Sequence, residues 1–343
     1  MSLPVSIDMP PMEAGTASEI PKGEHWQYEP KWDGFRCLAF RDHDDIHMMS
    51  KAGQPLQRYF PEIVAALKSL PMQRIVLDGE LVLLRNGRAD FDALLQRIHP
   101  AESRIRKLSV ETPVTFVVFD LLVDSRGHDL STRPLAERRA LLDRFATEDL
   151  HGWERIRISP ATQSFETARR WFQEMAGQLD GVIAKRTDLG YDSGARDAMV
   201  KIKNLRTADC VVGGFRYAAK AKVVGSLLLG LYDHQGRLNH VGFTSGIKTS
   251  EKRGLTRQLE ALIEPPGFTG AAPGGPSRWS TRRSDDWQPL KPRLVAEVQY
   301  DHFSGHRFRH GTRLLRWRPD KKPANCTMAQ VEHESASLLD LLK

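Results

Sequence analysis

The sequence has little cysteine and no long apolar run. Three cysteines occur in 343 residues, at Cys37, Cys210 and Cys326. Cysteines so few and so far apart exclude a disulfide framework and a clustered zinc site, and they favour a reducing compartment. No apolar stretch approaches the ~20 residues that a membrane helix needs. The first residues lack both the basic start and the apolar core of a signal peptide. These absences predict a cytoplasmic chain that does not enter a membrane.

Two common nucleotide-binding motifs are also missing. Neither G-x-x-x-x-G-K-[ST] nor G-x-G-x-x-G occurs, which argues against a P-loop enzyme, a dinucleotide-binding fold and a protein kinase. The histidines His25, His47, His99 and His128 lack the spacing of metal ligands. A nucleotide site in this chain has to be built in some other way.

The charge is distributed unevenly along the chain. The net charge is +7 in total, but residues 1–204 sum to −2 and residues 205–343 to +9. The excess positive charge therefore lies in the last two fifths. It indicates either a polyanionic partner, whose counterions are released on binding, or a solvated basic surface. Charge alone does not choose between the two.

The apolar pattern predicts an α+β protein whose character changes near residue 205. Beyond that point, short strands rich in Val, Leu and Gly surround one helix, residues 250–263, which is typical of a small barrel such as an OB-fold. The last stretch, residues 328–343, indicates a helix, and the first ~20 residues a loose lead-in. The first part alternates strand patterns at 35–40, 75–84, 114–123, 181–185 and 199–202 with helical patterns at 61–70, 134–145 and 164–176.

The sharpest local pattern is EPKWDGFR, residues 29–36, which predicts a strand, a glycine turn and a second strand. It places Lys31 between the carboxylates Glu29 and Asp33, with Arg36 five residues on. Taken alone, Lys-x-Asp-Gly is also typical of an ordinary hairpin turn with an exposed lysine. The pattern gains meaning only from other motifs in the chain.

Several of those motifs place charged groups in apolar strands. Asp78 and Glu80 interrupt the strand IVLDGELVLL, and buried charges cost several kcal/mol without partners, so a cation-rich site is expected beside them. Phe119 ends another strand, where it either stacks on a base or packs in the core. Lys201 and Lys203 alternate around one residue and so project from the same strand face. Acids, lysines and an aromatic of this kind describe a site for a nucleoside triphosphate.

The order of the motifs resembles a known series. KWDGFR, SKAG, LDGEL, VFD, DGVIAKR and KIK, followed by RLLRWRPDK at 313–321, are similar to the collinear motifs of the covalent nucleotidyltransferases. That superfamily comprises ATP-dependent DNA ligases, RNA ligases and mRNA capping enzymes. The likeness is strongest to the short bacterial ATP-dependent DNA ligases, namely the LigC-like group and the ligase module of LigD. It implies a nucleotidyltransferase (adenylation) domain over 1–204, with ATP-grasp-like antiparallel sheets and helices, and an OB-fold domain with a C-terminal helix over 205–343.

The resemblance also implies the chemistry. Lys31 would attack the α-phosphate of ATP and form a lysyl-AMP, after losing its proton with help from burial or nearby cations. Glu80 and Asp180 would bind Mg²⁺, because carboxylates and phosphates suit a hard octahedral cation. Lys51 and Asp180 stand where the family usually has Arg and Glu. The implied contacts to ATP are Glu29, Arg36, Ser50, Lys51, Glu80, Phe119, Lys201 and Lys203 in the first domain, and Arg316, Arg318, Asp320 and Lys321 in the second.

Individual roles follow from the same resemblance. Glu29 would contact the adenine and Phe119 would stack on it, while Arg36 with residues 50–51 would bind the ribose or the nick phosphate. Glu80 would hold the ribose or help the metal. Lys201 and Lys203 would neutralise the α-phosphate during in-line displacement. Residues 316–321 would orient the leaving pyrophosphate.

The predicted function is therefore an ATP-dependent DNA ligase that seals 5′-phosphate/3′-hydroxyl nicks in duplex DNA during DNA repair. The expected partners are ATP, Mg²⁺ and nicked duplex DNA, with a recruiting repair protein left open and a monomer expected. Two alternatives stay open: an RNA ligase or GTP-using capping-type enzyme of the same fold, and an inactive OB-type DNA-binding protein.

Overall fold

The structure is a computed structural model that describes residues 2–150, 154–175, 179–274, 286–332 and 337–342. The chain divides into two compact units. The first unit comprises residues 1–204 together with 335–343, and the second comprises residues 205–334.

Two sheets form the framework of the first unit. One has the strand order β1-β11-β10-β2 and the other β4-β3-β5-β8-β9, and β6 pairs with β7 in a small hairpin. All pairings are antiparallel except β1 with β11 and β8 with β9. The strands are β1 (Gly15–Thr16), β2 (Trp26–Pro30), β3 (Phe35–Asp42), β4 (Asp45–Ser50), β5 (Arg74–Val82), β6 (Leu84–Arg85), β7 (Arg88–Ala89), β8 (Thr115–Val123), β9 (Ile156–Ile158), β10 (Gly181–Arg186) and β11 (Met199–Lys203).

Five helices pack on these sheets. The last of them begins after an N-cap, because Ser164 Oγ accepts a hydrogen bond from the Thr167 amide at 3.2 Å. That helix buries Ala168 and matches the helical pattern predicted at 164–176. The helices are α1 (Pro61–Ser69), α2 (Phe91–Leu95), α3 (Glu102–Glu111), α4 (Leu135–Asp149) and α5 (Phe165–Glu174).

A fully buried ion pair anchors α4 to the central sheet. Arg138 is 0% exposed, and its Nε and Nη2 donate to the two carboxylate oxygens of Asp120 at 2.8 and 2.9 Å. A two-pronged arginine pair supplies both charge and hydrogen bonds to an acid that a sheet interior would otherwise disfavour. Asp120, which lies within β8, is thereby explained as part of the scaffold.

The second unit is built on one curved sheet with its own hydrophobic core. Its long strands run in the order β14-β13-β12-β16-β19, and an isolated pairing of Thr244 with Thr312 links the two ends of that order. Five strands, partly open, with a helix between β14 and β16, match an OB-type barrel. The elements are β12 (Arg206–Ala218), β13 (Ala221–Tyr232), β14 (Leu238–Thr244), α6 (Thr249–Glu260), β15 (Gln288–Pro289), β16 (Val295–Tyr300), β17 (Phe303–Ser304), β18 (Arg307–Phe308) and β19 (Arg313–Trp317).

The predicted C-terminal helix over 328–343 is wrong. The described part contains two short 3₁₀ helices instead, Met328–Gln330 and Leu338–Leu341, and residues 333–336 lie outside the described residues. The second helix belongs to the first unit, where Leu338 is 0% exposed and packs in a cluster with Trp32 and Val82. Leu338 and Leu342, two of the leucines near the end of the chain, are buried in this cluster.

The start of the chain also differs from expectation. Met12 is 3% exposed and belongs to an apolar cluster, and β1 pairs in parallel with β11. The lead-in is therefore part of the first unit. Among the described residues, no helix is both long and apolar enough to cross a membrane.

We expect Leu338→Ala to lower the free energy of unfolding of the first unit by about 2–4 kcal/mol, because it empties a fully buried site. Leu339→Ala is the matched control, since Leu339 is 49% exposed. Thermal melting of the two variants checks this. Equal melting temperatures for the two variants would contradict the packing of Leu338 in the first unit.

Candidate active site

A cavity of about 210 Å³ opens between the two sheets of the first unit. Its walls combine charged side chains from both sheets with the backbone segment 11–14. Seven residues predicted from the sequence line it: Glu29, Lys31, Arg36, Lys51, Glu80, Phe119 and Lys201.

Lys31 forms an ion pair at this cavity. Its Nζ lies 2.6 Å from Asp180 Oδ2, and the two side chains are 19% and 20% exposed. Two backbone hydrogen bonds join the same segments, from the Lys31 amide to the Gly181 carbonyl at 3.0 Å and from the Asp180 amide to the Lys31 carbonyl at 3.2 Å. The lysine is thus fixed through both its backbone and its amine. The shorter acid at position 180 reaches the lysine without difficulty.

Glycine is required on both sides of this pair. A Cβ on Gly34 would lie 2.1 Å from the Leu81 carbonyl oxygen, and one on Gly181 would lie 1.9 Å from the Ile202 carbonyl oxygen. Gly181 also has a φ of +141°, a conformation that side chains rarely tolerate. The glycines of the two Asp-Gly pairs therefore allow the strands to approach closely around Lys31.

The electrostatic surroundings keep the Lys31 amine protonated. Burial by itself lowers the pKa of Lys31, but the charge and hydrogen bond of Asp180, with further contributions from Glu80 and Asp33, outweigh it and raise the pKa overall. The sequence had suggested cations as neighbours of this lysine. The acids that surround it favour the ammonium form, so the resting lysine is charged.

Glu80 is a carboxylate that lines the cavity. It lies opposite Arg36 in the β3–β5 ladder, yet among the described residues it makes no hydrogen bond or ion pair. Burial raises its pKa to about 7, against the opposing charges of Arg36 and Lys31. A cavity acid in this condition is able to accept a cation or a hydroxyl group.

Arg36 is held by a buried acid. Its Nε and Nη2 donate to the two oxygens of Asp78, each at 2.6 Å, and Asp78 is 0% exposed. The guanidinium also lies 4.4 Å from the centre of the Phe119 ring. The cationic partner that the sequence analysis required beside the acids of β5 is therefore this arginine, which also faces the cavity.

A second cation near the Phe119 ring is Lys185, which was not among the residues predicted for the site. Lys185 Nζ lies 4.4 Å from the ring centre and 2.8 Å from Glu29 Oε2. Gln27 Nε2 donates to the other oxygen of Glu29 at 2.8 Å. This end of the cavity is buried, aromatic and hydrogen-bonding, as a base-binding site needs. Alternation along β10, with Ile183 and Lys185 on one face, was the signal that could have revealed Lys185.

A cluster of cations lies at the other end of the cavity. Glu13 Oε2 contacts Lys51 Nζ at 3.2 Å and Arg196 Nη2 at 2.7 Å. Lys201 is half-buried nearby, and burial together with neighbouring cations, Lys51 first among them, lowers its pKa. Such a cluster is suited to a phosphate chain. Glu13 and Arg196 were missed because they belong to no motif.

Three predicted residues lie beside the cavity without lining it. Ser50 ends β4 and accepts the Gln54 amide through its hydroxyl at 2.9 Å. Asp180 contacts Lys31, and Lys203 lies on β11 two residues from Lys201. Ile202 between the two lysines is 1% exposed, so the predicted projection of both lysines from one face is confirmed.

The four predicted residues of the last motif belong to the second unit. Arg318 Nη1 lies 2.9 Å from Asp209 Oδ1, and its Nη2 lies 2.8 Å from Asp320 Oδ2. Lys321 Nζ is 3.3 Å from Asp209 Oδ2, while Arg316 pairs with Glu297 at 2.5 Å. The Arg318 guanidinium lowers the pKa of Asp320 to about 2. These residues form one charged network on that unit.

The donor set fits a hard divalent cation. Asp180 Oδ2 lies 2.6 Å from the Lys31 amine, and Glu80 lines the same cavity as that lysine. Glu80 makes no hydrogen bond or ion pair among the described residues, and the described residues that line the cavity include no cysteine or histidine. Two carboxylates beside a phosphate-binding cluster suit Mg²⁺.

Comparison with known proteins shows the family of the chain. The family model described as ATP dependent DNA ligase domain matches residues 11–203, and the model of the ATP dependent DNA ligase C terminal region matches residues 220–321. The chain belongs to the ATP-dependent DNA ligase family, and it is an ATP-dependent DNA ligase with the nucleotidyltransferase and OB-type architecture that its sequence predicts.

Individual relatives are similar over most of the chain. DNA ligase C of Mycobacterium tuberculosis is 42% identical over 358 residues, covering 100% of this chain and 99% of the relative. The multifunctional non-homologous end joining DNA repair protein LigD of the same organism is 31% identical over 316 residues, covering 90% of this chain and 38% of LigD. A solved Lig E DNA ligase matches the fold with a TM-score of 0.56 at 16% identity, covering 90% of this chain and 99% of that chain.

The raised pKa of Glu80 predicts a pH-dependent stability. Between about pH 4.5 and 7 the folded chain keeps a proton on Glu80 that the unfolded chain has lost, so stability falls as the pH rises through this window. Over that pH range, we expect the decrease in the free energy of unfolding to be smaller in Glu80→Gln than in the parent, by on the order of 2 kcal/mol. Denaturant unfolding at a series of pH values measures this. If the free energy of unfolding changes with pH in the same way in both proteins, the raised pKa of Glu80 is contradicted.

Proposed function

We propose that this ligase seals 5′-phosphate/3′-hydroxyl nicks in duplex DNA in three steps, beginning with a covalent lysyl-AMP on Lys31. The observation that carries the proposal is the ion pair of Lys31 with Asp180 beside a cavity whose lining combines the buried Phe119 and Glu29 with the cations Lys51 and Lys201. In the first step Lys31 Nζ gives up its proton to solvent and forms a bond to the α-phosphorus of ATP, while the bond between that phosphorus and the oxygen of the leaving pyrophosphate breaks. AMP then passes to the 5′-phosphate, and the 3′-hydroxyl displaces it.

The residues of the base end would bind the adenine. Phe119 is 7% exposed and lines the cavity, where it is the aromatic side chain that would stack on the base. Glu29 is 2% exposed and already held by Lys185 and Gln27, which fixes the carboxylate toward the base. The rigidity of this end lowers the entropy cost of binding the nucleotide.

The residues around Lys31 would orient and charge-balance the reacting phosphate. Asp180 Oδ2 holds the amine at 2.6 Å and so fixes the direction from which the nucleophile approaches. Lys201 and Lys203 project from the same face of β11 and would neutralise the α-phosphate oxygens, while Lys51 and Arg36 would contact the ribose or a phosphate. The lowered pKa of Lys201 marks a cation that gains by meeting an anion.

Asp180 and Glu80 would hold a Mg²⁺ ion. The bound ion supplies positive charge to the phosphates, which is the main requirement of phosphoryl transfer. Glu80 is suited to this because it is a buried acid without a partner among the described residues.

The second unit would act as an OB domain on the DNA and on the leaving group. Arg316, Arg318, Asp320 and Lys321 would orient the pyrophosphate during adenylation, and the +9 net charge of residues 205–343 would attract the DNA backbone. We assign residues 1–204 to the adenylation domain and residues 205–334 to the OB domain, with the tail 335–343 returning to the first unit.

A cellular role in DNA repair is supported by the likeness to LigD, whose name describes a repair protein. We further propose that the enzyme is a cytoplasmic monomer that uses a recruiting repair protein. A GTP-using capping enzyme, an RNA ligase or an inactive binding protein would need a different outcome of the labelling experiment below.

The first step predicts a specific covalent label. Incubation with Mg²⁺ and α-labelled ATP should label the parent protein on a denaturing gel, and the label should disappear when nicked duplex DNA is added. Lys31→Ala should lower labelling at least about 1,000-fold because it removes the nucleophile. Lys107→Ala, which changes an exposed lysine on α3, is the control and should label normally.

Other labelling results point elsewhere. Label from GTP in place of ATP would indicate capping chemistry, and removal of the label by nicked RNA alone would indicate an RNA ligase. Labelling of the Lys31→Ala protein would refute the assigned nucleophile. If intact-mass measurement shows that the purified parent carries no AMP, and the parent also takes up no label, the protein is an inactive DNA-binding protein.

DNA binding should depend steeply on salt. Because basic side chains of the second unit would displace counterions, we expect the affinity for nicked duplex to fall at least about 100-fold between 50 and 200 mM salt. Fluorescence anisotropy with a labelled nicked duplex measures this. A tight complex that salt does not weaken would contradict electrostatic attraction as the source of binding.

A further inference from the structure

We infer that Tyr191 is a positioning residue for the nucleotide cavity, acting through a closed circuit of hydrogen bonds that ties Arg36 to the N-terminal strap. The strap is residues 10–17, whose segment 11–14 lines the cavity. The inference rests on the proposed function of that cavity as the ATP site. Tyr191 itself does not line the cavity.

The circuit has four members. The Met12 amide donates to the Tyr191 hydroxyl oxygen at 3.0 Å, and that hydroxyl donates to Asp78 Oδ2 at 2.6 Å. Asp78 accepts two hydrogen bonds from Arg36, and Arg36 Nη2 returns to the Met12 carbonyl at 3.4 Å. Both backbone polar groups of Met12 are therefore tied to the arginine that faces the cavity, the carbonyl directly and the amide through Tyr191 and Asp78.

The circuit is buried, which makes each of its bonds matter. Asp78 is 0%, Met12 3% and Tyr191 6% exposed. A buried carboxylate that loses one hydrogen bond keeps its desolvation cost without compensation. Burial and the charge of Asp78 hold the pKa of Tyr191 well above 10, so the hydroxyl stays protonated and donates throughout the useful pH range.

The strap has further anchors to the same part of the chain. Ser193 Oγ donates to the Pro10 carbonyl at 2.7 Å, the Glu13 amide donates to the Ala195 carbonyl at 2.8 Å, and β1 pairs with β11. These contacts fix where the strap runs. The Tyr191 hydroxyl hydrogen-bonds both the strap and Asp78, and together with the longer bond from Arg36 to the Met12 carbonyl it couples the position of the strap to the orientation of Arg36.

Tyr191→Phe removes that connection and leaves the ring. We expect the KM for ATP in self-adenylation to rise about tenfold, the size expected when a hydrogen bond to a buried carboxylate is lost. The maximal rate should stay within about threefold. A loss of folded protein would instead lower the maximal rate per total protein and leave KM unchanged.

Tyr300→Phe is the matched control. Tyr300 is 3% exposed, and its hydroxyl has no hydrogen-bond partner among the described residues. Removing it deletes a buried hydroxyl of the same type in the second unit, and both KM and maximal rate should stay as in the parent.

A second variant approaches the same bond from the strap. Met12→Pro removes the amide hydrogen that Tyr191 accepts and should also raise the KM for ATP. The double variant should be no worse than the worse single variant, because both changes break one circuit. Hydrogen exchange of the peptide that contains residues 10–17 should be faster in Tyr191→Phe than in Tyr300→Phe.

The outcomes separate the inference from the function on which it rests. If the parent protein forms an adenylate and Tyr191→Phe has the same KM as Tyr300→Phe, the inference is wrong. Independent, multiplying effects of the two single variants would also overturn it. If the parent forms no adenylate from ATP, the proposed function fails, while hydrogen exchange still decides whether the circuit holds the strap.

Discussion

The ion pair between Lys31 and Asp180 is the interaction on which the site depends. It joins the turn after β2 to the start of β10, and two backbone hydrogen bonds and two tightly packed glycines fix the same junction. The pair holds the Lys31 amine in its protonated form and in a fixed position. Reactivity of the lysine then depends on what changes the charge around Asp180, because that acid favours the ammonium form.

The acids of the first unit fall into two groups with different neighbours. Asp78 and Asp120 are buried in the sheet, and each is neutralised by an arginine with two hydrogen bonds. Glu80 lines the cavity and makes no hydrogen bond or ion pair among the described residues, while Asp180 lies beside the cavity and holds the nucleophile. The first group builds the scaffold, and the second group is left for chemistry. The same strand, β5, supplies one acid to each group.

Motif order and strand alternation predicted much of this arrangement. Asp78 and Glu80 required cations, and the structure provides Arg36; Lys201 and Lys203 had to share a face, and they do. What the sequence could not supply was contact between segments distant in the chain. Lys185, Glu13 and Arg196 entered the site through sheet pairing and through the strap, and none of them lies in a pattern that identifies it alone.

The missed tail and the charge state of Lys31 have related causes. The leucines near the end of the chain fit a helical period, but their burial against Trp32 depends on a surface formed by other strands. The neighbours of Lys31 in sequence include Glu29, which turns away to Lys185, while Asp180 comes from 149 residues further on. Long-range packing therefore decided both features, and local pattern had no access to it.

The central claim is that acids raise the pKa of the resting nucleophile. It is tested most directly by NMR titration of labelled lysine side chains in the ATP-free protein, with Lys31→Arg used to assign the signal and Asp180→Asn compared with the parent. The account predicts that the Lys31 amine titrates above an ordinary lysine in the parent and at a lower pH in Asp180→Asn. A Lys31 amine that titrates below an ordinary lysine in the parent, or that Asp180→Asn leaves unchanged, would contradict it.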